Sequence, residues 1–389
     1  MTHKESRHMR RTVLYSAISR AERSKDGQVC DWGILCGRCR TRQPHGARRR
    51  MVMKRREEAG PETPIGPDRT VAGIIKDVSS FSSPRAKSQS QSVPGSYIKL
   101  ILFFFPIMDC QVGFESFILV DDGTTAVLQG LRVAPLMRGQ GVAGLIEKFC
   151  LANLHSDHPE VKRVRLTRGE NPPAAMLKKY KVINSKAVLP LLLPADQLKT
   201  ALTLLESRVS NVDRSKKQNV LGEEEILKFF EESKTREELL PGGLLVQGWL
   251  PLTTHKSNLH LLLNRKIVWM YSHPVESSDS ESSSEISTSC SGTQAYLERF
   301  LSLGTPPFPV PFAEGIHRLD IDMFGNDPSC AKVHILQQMK VAVQALPPGS
   351  GMICVLYVEE SLRAEIEQLC EGLTPFHIAR EQMILEMET

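Results

Sequence analysis

The chain has no run of the roughly 18 apolar residues that a helix needs to cross a bilayer. Its most apolar stretch, YIKLILFFFPIM at residues 97–108, is short and carries Lys99. A helical membrane span is excluded, and a soluble protein with no membrane partner is expected. No secretory leader opens the sequence. The nine cysteines, at positions 30, 36, 39, 110, 150, 290, 330, 354 and 370, are odd in number and scattered. That pattern argues against a disulfide framework and suits a reducing compartment, so a cytoplasmic location is expected. A basic body is missing too. Residues 1–60 hold 16 Lys and Arg against 6 Asp and Glu, whereas the remaining 329 hold 33 against 38, a net of −5. A nucleic-acid partner could therefore concern only the N-terminal arm, with its GARRRMVMKRR run, and none is expected of the rest. Cys36 and Cys39 form one C-x-x-C with Cys30 nearby, but a structural zinc needs four ligands and no second pair stands at finger or ribbon spacing, so no metal is expected.

What is present is an ordinary globular composition, 41% hydrophobic and 24% charged over 389 residues, long enough for two domains. Residues 1–110 are rich in Arg, Ser, Gly and Pro and lack sustained periodicity, and are expected to be largely disordered. From Gln111 the run QVGFESFILVDDGTTAVLQGLRV reads as two strands joined by a turn at Asp122–Gly123. After a glycine-punctuated loop, Val142, Leu145, Ile146, Phe149 and Cys150 follow the spacing of an amphipathic helix. RVRLT is a strand, Asn171 begins a second helix with Pro172 and Pro173 in its first turn, and VLPLLLP supplies a further strand before a helix ending near Val209. This gives one α/β core over 111–205 and a second, smaller α+β domain over 206–389, interrupted by a Ser-rich acidic insert at 275–292. In that second domain GGLLVQGWLPL reads as one strand, and alternating strands and helices fill 316–373 without any glycine-rich phosphate loop.

The segment that carries chemistry is LRVAPLMRGQGVAGLIEKF, residues 131–149. A strand ends at Val133 and a glycine-bearing turn leads at once into a helix whose first amides have no intrahelical partner. Such a terminus attracts anions, Gly139 and Gly141 let the backbone come close, and Arg138 adds a fixed cation. No GK[ST] follows, so it is not a Walker loop. It is read as a pyrophosphate cradle, and not as a dinucleotide-binding turn.

Val133, Pro135, Arg138, Gly139, Gly141, Val142 and Ala143 match the V-x-P-x-x-R-G-x-G-V-A signature of the GCN5-related N-acetyltransferases, which this segment resembles. The resemblance implies a mixed α/β sheet flanked by helices and acetyl-CoA as co-substrate. The backbone at Leu131, Arg132 and Val133 would pair with the pantetheine arm, and Arg138, Gly139, Gln140, Gly141, Val142 and Ala143 would hold the phosphates. Asn171, Ala174 and Leu177 stand at the family's N-x-x-A-x-x-L spacing, so Asn171 would also meet the cofactor. More narrowly, the run from Val112 to Cys150 and the long C-terminal part resemble the vertebrate histidine N-acetyltransferase group, whose members acetylate the α-amino group of free L-histidine. The acceptor implied is a small-molecule amine.

The chain departs from the family in three ways. Gln129 stands where many members carry a carboxylate, so Glu115 on the preceding strand is the candidate base, beside a water chain or the backbone. Lys178 stands where a tyrosine often supplies the leaving thiolate's proton, which leaves Tyr180, two residues on, as candidate acid or packing residue. The acceptor-side elements that normally precede the first strand are replaced by low-complexity sequence. Residues 1–110 are accordingly expected to be a non-native N-terminal segment, since LILFFFPIMDCQ resembles a translated pyrimidine tract ending in a splice acceptor; one edge of the sheet is expected to be missing and the apolar faces of the two strands over 111–133 to lie bare. A catalytically impaired acetyl-CoA-binding protein, or an N-acetyltransferase with another amine acceptor, stays open as the alternative. His155 and His158 read as a polar helix end, and Asp320 and Asp322 as a solvated sheet face rather than a contact for a cationic substrate.

Overall fold

The apolar run before Pro106 forms a strand. In the computed structural model, which describes residues 99–107, 110–210, 216–231, 237, 239–274, 299–311 and 313–389, β1 (Lys99–Ile107) pairs antiparallel with β2 (Cys110–Val120). This strand lies inside the segment expected to be largely disordered, and it pairs along one edge of β2. An unbroken apolar run has no period to betray it, which is why the sequence pattern passed it over. The C-x-x-C at 36–39, the basic run at 46–56 and the insert at 275–292 lie outside the described residues.

β3 (Thr125–Val133) follows β2 through a turn with Asp122 and Gly123 both at positive φ, as the Asp-Gly pair requires. Then come α1 (Val142–Asp157), β4 (Arg163–Gly169), α2 (Ala174–Leu177), β5 (Lys181–Leu193) and α3 (Leu198–Val209). β6 (Lys216–Val220), α4 (Glu223–Glu231), β7 (Leu244–Gln247), β8 (Leu250–Thr253), α5 (Lys256–Asn264) and β9 (Val268–Pro274) lead to β10 (Phe300–Gly304), β11 (Phe308–Pro309) and β12 (Ile316–Phe324). The chain closes with α6 (Pro328–Gln344), β13 (Gly351–Val358), α7 (Arg363–Leu369), β14 (Thr374–Pro375) and β15 (Glu381–Glu388).

Two expected elements change shape. The helix after Asn171 starts only at Ala174, because a residue before proline is steered out of the α region; Asn171 instead sits at φ 58. GGLLVQGWLPL is not one strand but the hairpin β7–β8, broken at Gly248 with φ 58.

The main sheet runs β1-β2-β3-β4-β15-β5-β13-β12-β10-β9-β6. It reads almost alike from either edge about the central β15–β5 pair. On one side β3 and β4 are parallel and joined by α1; on the other β12 and β13 are parallel and joined by α6. Each half then sends a strand across: β5, which follows β4 in sequence, pairs with β13, and β15, which follows β13, pairs with β4. The sheet therefore continues without a break past residues 205–206.

Strand alternation sorts the faces. On one face Phe117, Leu119, Ala126 and Leu128 pack with Ile146, Cys150 and Leu154 of α1, and Leu319, Ile321, Met323 and Leu356 pack with α3, α6 and α7. On the other, Ile118, Val120 and Val127 join Leu245 and Leu252 of the hairpin, Ile226 and Phe230 of α4, and Leu259 and Leu262 of α5. Helices thus cover both faces, as the family fold requires. Among the described residues no helix is long and apolar enough to cross a membrane.

Candidate active site

The parallel pair β3–β4 holds together over only four register positions, Thr125↔Arg163 to Leu128↔Leu166. Beyond them β3 runs on to Val133 and β4 to Gly169 with no pairing between them, so the strands open into a fork. The cause lies partly in β3, which carries one residue more than β2 between Phe114↔Arg132 and Ser116↔Gln129. Gly130 takes up this bulge at φ 71, where an added Cβ would also lie 3.1 Å from the Phe114 ring. Leu131, Arg132 and Val133 therefore form one wall of the fork, along which β4 no longer pairs; the Leu131 carbonyl accepts Arg132 Nη1 at 2.8 Å.

The fork leads to residues 134–141. Arg138 folds back, its Nε donating to the Val133 carbonyl (3.1 Å), and Gln140 Nε2 donates to the Leu136 carbonyl (3.0 Å), so the loop is braced by its own side chains. Gly139 (φ 76) and Gly141 (φ 78) hold positive φ with open space where a Cβ would stand. No side chain caps α1, and the first of its amides to find a backbone acceptor is Leu145, bonded to Gly141 at 3.2 Å. The amides of Val142 and Ala143 thus face outward at the positive end of a sixteen-residue helix. Asn171, two residues past the end of β4, is exposed on the other side of the fork. Gly139, Gly141 and Gly144 also spell a G-x-G-x-x-G spacing, but a dinucleotide fold continues in parallel strands, whereas β3 and β4 have antiparallel neighbours in β2 and β15.

Glu115 and Tyr180 are both buried near Glu147 of α1. Glu115 is buried on the α1 face of β2, directly opposite the bulge, in hydrogen-bond contact with Cys150; burial pushes its carboxyl up to about 7, with Glu147 adding to the rise. Its Oε2 has no partner. Tyr180 is equally buried, and its hydroxyl donates to Glu147 Oε1 (3.1 Å), which also takes Lys179 Nζ at 2.8 Å. Burial and the neighbouring carboxylates push the phenol well up, so it keeps its proton throughout the neutral range. Glu147 was not singled out from the sequence, although a carboxylate one residue from Ile146 on the helix's inner edge is its only signal. Lys178 and Gln129 stand apart from this cluster: Lys178 is exposed, and Gln129 receives Ser116 Oγ at its backbone carbonyl (2.9 Å). His155 lies in the last turn of α1 and His158 caps it, stacked edge-on to Phe117.

Asp320 and Asp322 are not on a solvated face: they are 5% and 0% exposed. The hairpin β7–β8 covers them. Asp320 accepts Arg318 Nε at 2.8 Å, and Arg318 also donates to the Tyr357 hydroxyl at 3.0 Å. Asp322 accepts the Gly248 amide at 2.6 Å, and burial pushes its carboxyl up while burial also pushes the nearby Lys186 ammonium down. The alternation that places both aspartates on one face was legible; the hairpin that buries that face was not. Among the described residues no three His, Cys, Asp or Glu side chains cluster so as to hold a metal.

A splayed parallel pair feeding an uncapped, glycine-lined helix terminus is the hallmark arrangement of a GCN5-related N-acetyltransferase, the class this fold and site define. Residues 214–298 and 284–359 match the family described as histidine N-acetyltransferase, C-terminal. The chain is 30% identical over 286 residues to probable N-acetyltransferase 16 of Homo sapiens, covering 71% of this chain and 72% of that protein, and 29% identical over 281 residues to histidine N-acetyltransferase of Xenopus tropicalis, covering 71% and 79%. It is also similar to a tandem GNAT protein of the clavulanic acid biosynthesis pathway, with 11% identity, TM-score 0.42, and 84% and 90% coverage. The chain belongs to the histidine N-acetyltransferase family and is an N-acetyltransferase.

Proposed function

We propose that this enzyme transfers the acetyl group of acetyl-CoA directly to the α-amino group of a free amino acid, with L-histidine as the preferred acceptor. One observation carries the reading: the fork between β3 and β4 opens onto the bare terminus of α1. Backbone edges at Leu131–Val133 suit the amides of a pantetheine arm, and the amides from Arg138 to Ala143 suit a pyrophosphate. Acetyl-CoA supplies an activated thioester acetyl group. The chain's own part is to hold that group against fixed backbone dipoles, which offset charge developing on the carbonyl oxygen. The new bond joins the acceptor nitrogen to the acetyl carbon, the carbon–sulfur bond breaks, and one proton must leave the amine and one reach the thiolate. Glu115, half ionised near neutrality, is assigned the first proton, and Tyr180, held protonated at Glu147, the second. The acceptor follows from the family's name for its relatives in Xenopus tropicalis and Oreochromis niloticus. A cytoplasmic setting agrees with the free, buried Cys150, Cys330, Cys354 and Cys370.

The test is an acetyl-transfer assay with the full chain, acetyl-CoA and a pool of free amino acids, following thiol release and identifying products by mass. Acetyl-histidine as the main product is the expected result. Transfer to another amine would replace the acceptor and keep the chemistry; binding of CoA without any transfer would overturn the proposed reaction for this chain.

A further inference from the structure

On the face opposite α1, the fork end of the sheet is polar and roofed by the tip of the β7–β8 hairpin. Gly169, Gln382 and Lys186 form one register row across β4, β15 and β5, and Asp322 continues along that face on β12. The tip is fastened at three points. Gly248 donates its amide to Asp322 Oδ2 (2.6 Å), Gln382 Nε2 donates to the Gly248 carbonyl (2.6 Å), and Thr167 Oγ1 donates to the Trp249 carbonyl (3.0 Å). Thr167 belongs to the stretch of β4 that has parted from β3, so the tip reaches from the fork wall to Asp322. Glycine suits the tip because Gly248 has φ 58, in the left-handed region that other side chains rarely adopt.

These bonds use one polar atom of each side chain and leave another idle. Asp322 Oδ1 and Gln382 Oε1 are buried without a hydrogen-bond partner, in residues 0% and 1% exposed. Buried acceptors are almost always matched by a donor, and two idle ones gripping opposite ends of the same glycine call for N–H groups from outside the chain. Lys186 does not supply them: its ammonium donates to the Met323 carbonyl (2.5 Å) and lies 3.5 Å over the Phe324 ring.

We infer that Asp322 and Gln382 form the subsite for the acceptor's side chain, their idle oxygens taking its N–H donors while the α-amino group lies toward Thr167 in the fork. The tip at Gly248–Trp249 is the cover that lifts to admit the acceptor. A protonated imidazole, with an N–H on each ring nitrogen, satisfies both oxygens, a neutral one satisfies one of them, an aliphatic side chain satisfies none, and an acidic one is repelled. This rests on the proposed transfer to a free amino acid and names what selects it.

The experiment titrates L-histidine, and separately acetyl-CoA, into the full chain by calorimetry. Asp322→Asn and Gln382→Met are each expected to weaken histidine binding at least tenfold and to leave acetyl-CoA binding unchanged, the latter also reporting that the variants are folded. Should D322N fail to fold, Q382M, whose side chain has the same length, decides alone. Unchanged histidine affinity in the folded variants, the mark of oxygens that merely hold an internal water, overturns the inference, as does absence of histidine binding to the unaltered chain. Failure of the proposed reaction shows differently, as histidine and acetyl-CoA both bound with no product.

Discussion

Two junctions in this molecule occupy equivalent places and have opposite properties. In the N-terminal half β3 passes to α1 through residues 134–141, the helix end is bare, and the strands beside it part after four register positions. In the C-terminal half β12 passes to α6 through residues 325–327, and Asp327 caps the helix by accepting the Cys330 amide at 2.8 Å. There β12 and β13 stay paired from Ile316↔Gly351 to Asp322↔Tyr357, almost to their ends. Lys186 then closes what remains, bonded to Met323 and 3.9 Å from Glu359. The same strand–helix–strand unit is thus a ligand cradle when its turn is long and uncapped, and a structural joint when a carboxylate of its own fills the helix end. The fold alone does not make the site; the turn and the spread of two strands do.

The largest effect is expected where the closed junction is broken. Lys186→Met leaves Asp322 and Glu359 facing a buried position without their cation, and losing one partner of a buried pair costs about 3–5 kcal/mol. Denaturant unfolding should show the unfolding free energy fall by that amount, and an unchanged value would mean that Lys186 is not what seals the second junction.

Next comes conversion of the open junction into a copy of the closed one. Gly141→Asp places a carboxylate where α1 is bare, so it competes for the same amides and repels a phosphate. kcat/KM for acetyl-CoA is expected to fall roughly 100-fold or more, each factor of ten being about 1.4 kcal/mol of barrier. Glu115 sharpens the contrast in another way, because it sets a buried carboxyl that titrates near neutrality beside the open junction. Activity carried by its ionised form should rise with pH through about 7. Glu115→Gln should cost about 100-fold above that pH and remove the limb from the profile. The sign for stability is the reverse. With its pKa raised from 4.5 to about 7, Glu115 contributes stability that is full below 4.5 and lost as pH rises through 7, so the Gln variant should gain on the parent in unfolding measurements at pH 8.

How much of this was legible follows from how local each feature is. The open junction is written in consecutive residues, Val133 to Ala143, and sequence reading located its strand, loop and helix. Gly130 in mid-strand was a bulge signal of the same local kind. The exchange of β5 and β15 was not legible, since pairing between Ser185 and Met383 depends on chain almost 200 residues apart. For the same reason the pattern Asp320-x-Asp322 gave the shared face but not its burial, which depends on Gly248, and Tyr180 gave no hint of Glu147 across the core.

The smallest expected effect tests whether capping alone separates the two junctions. Asp327→Ala frees the first amides of α6 and should cost about 1 kcal/mol, the usual value of an N-cap, seen as a small fall in melting temperature. If a bare helix end were sufficient for a site, this variant would take up a second equivalent of acetyl-CoA. It should not, because β12 and β13 remain paired and Lys186 still occupies the space between their ends. Calorimetry of the variant should therefore give one equivalent, as in the parent, and two equivalents would show that the carboxylate cap, and not the closed strand pair, is what silences the second half.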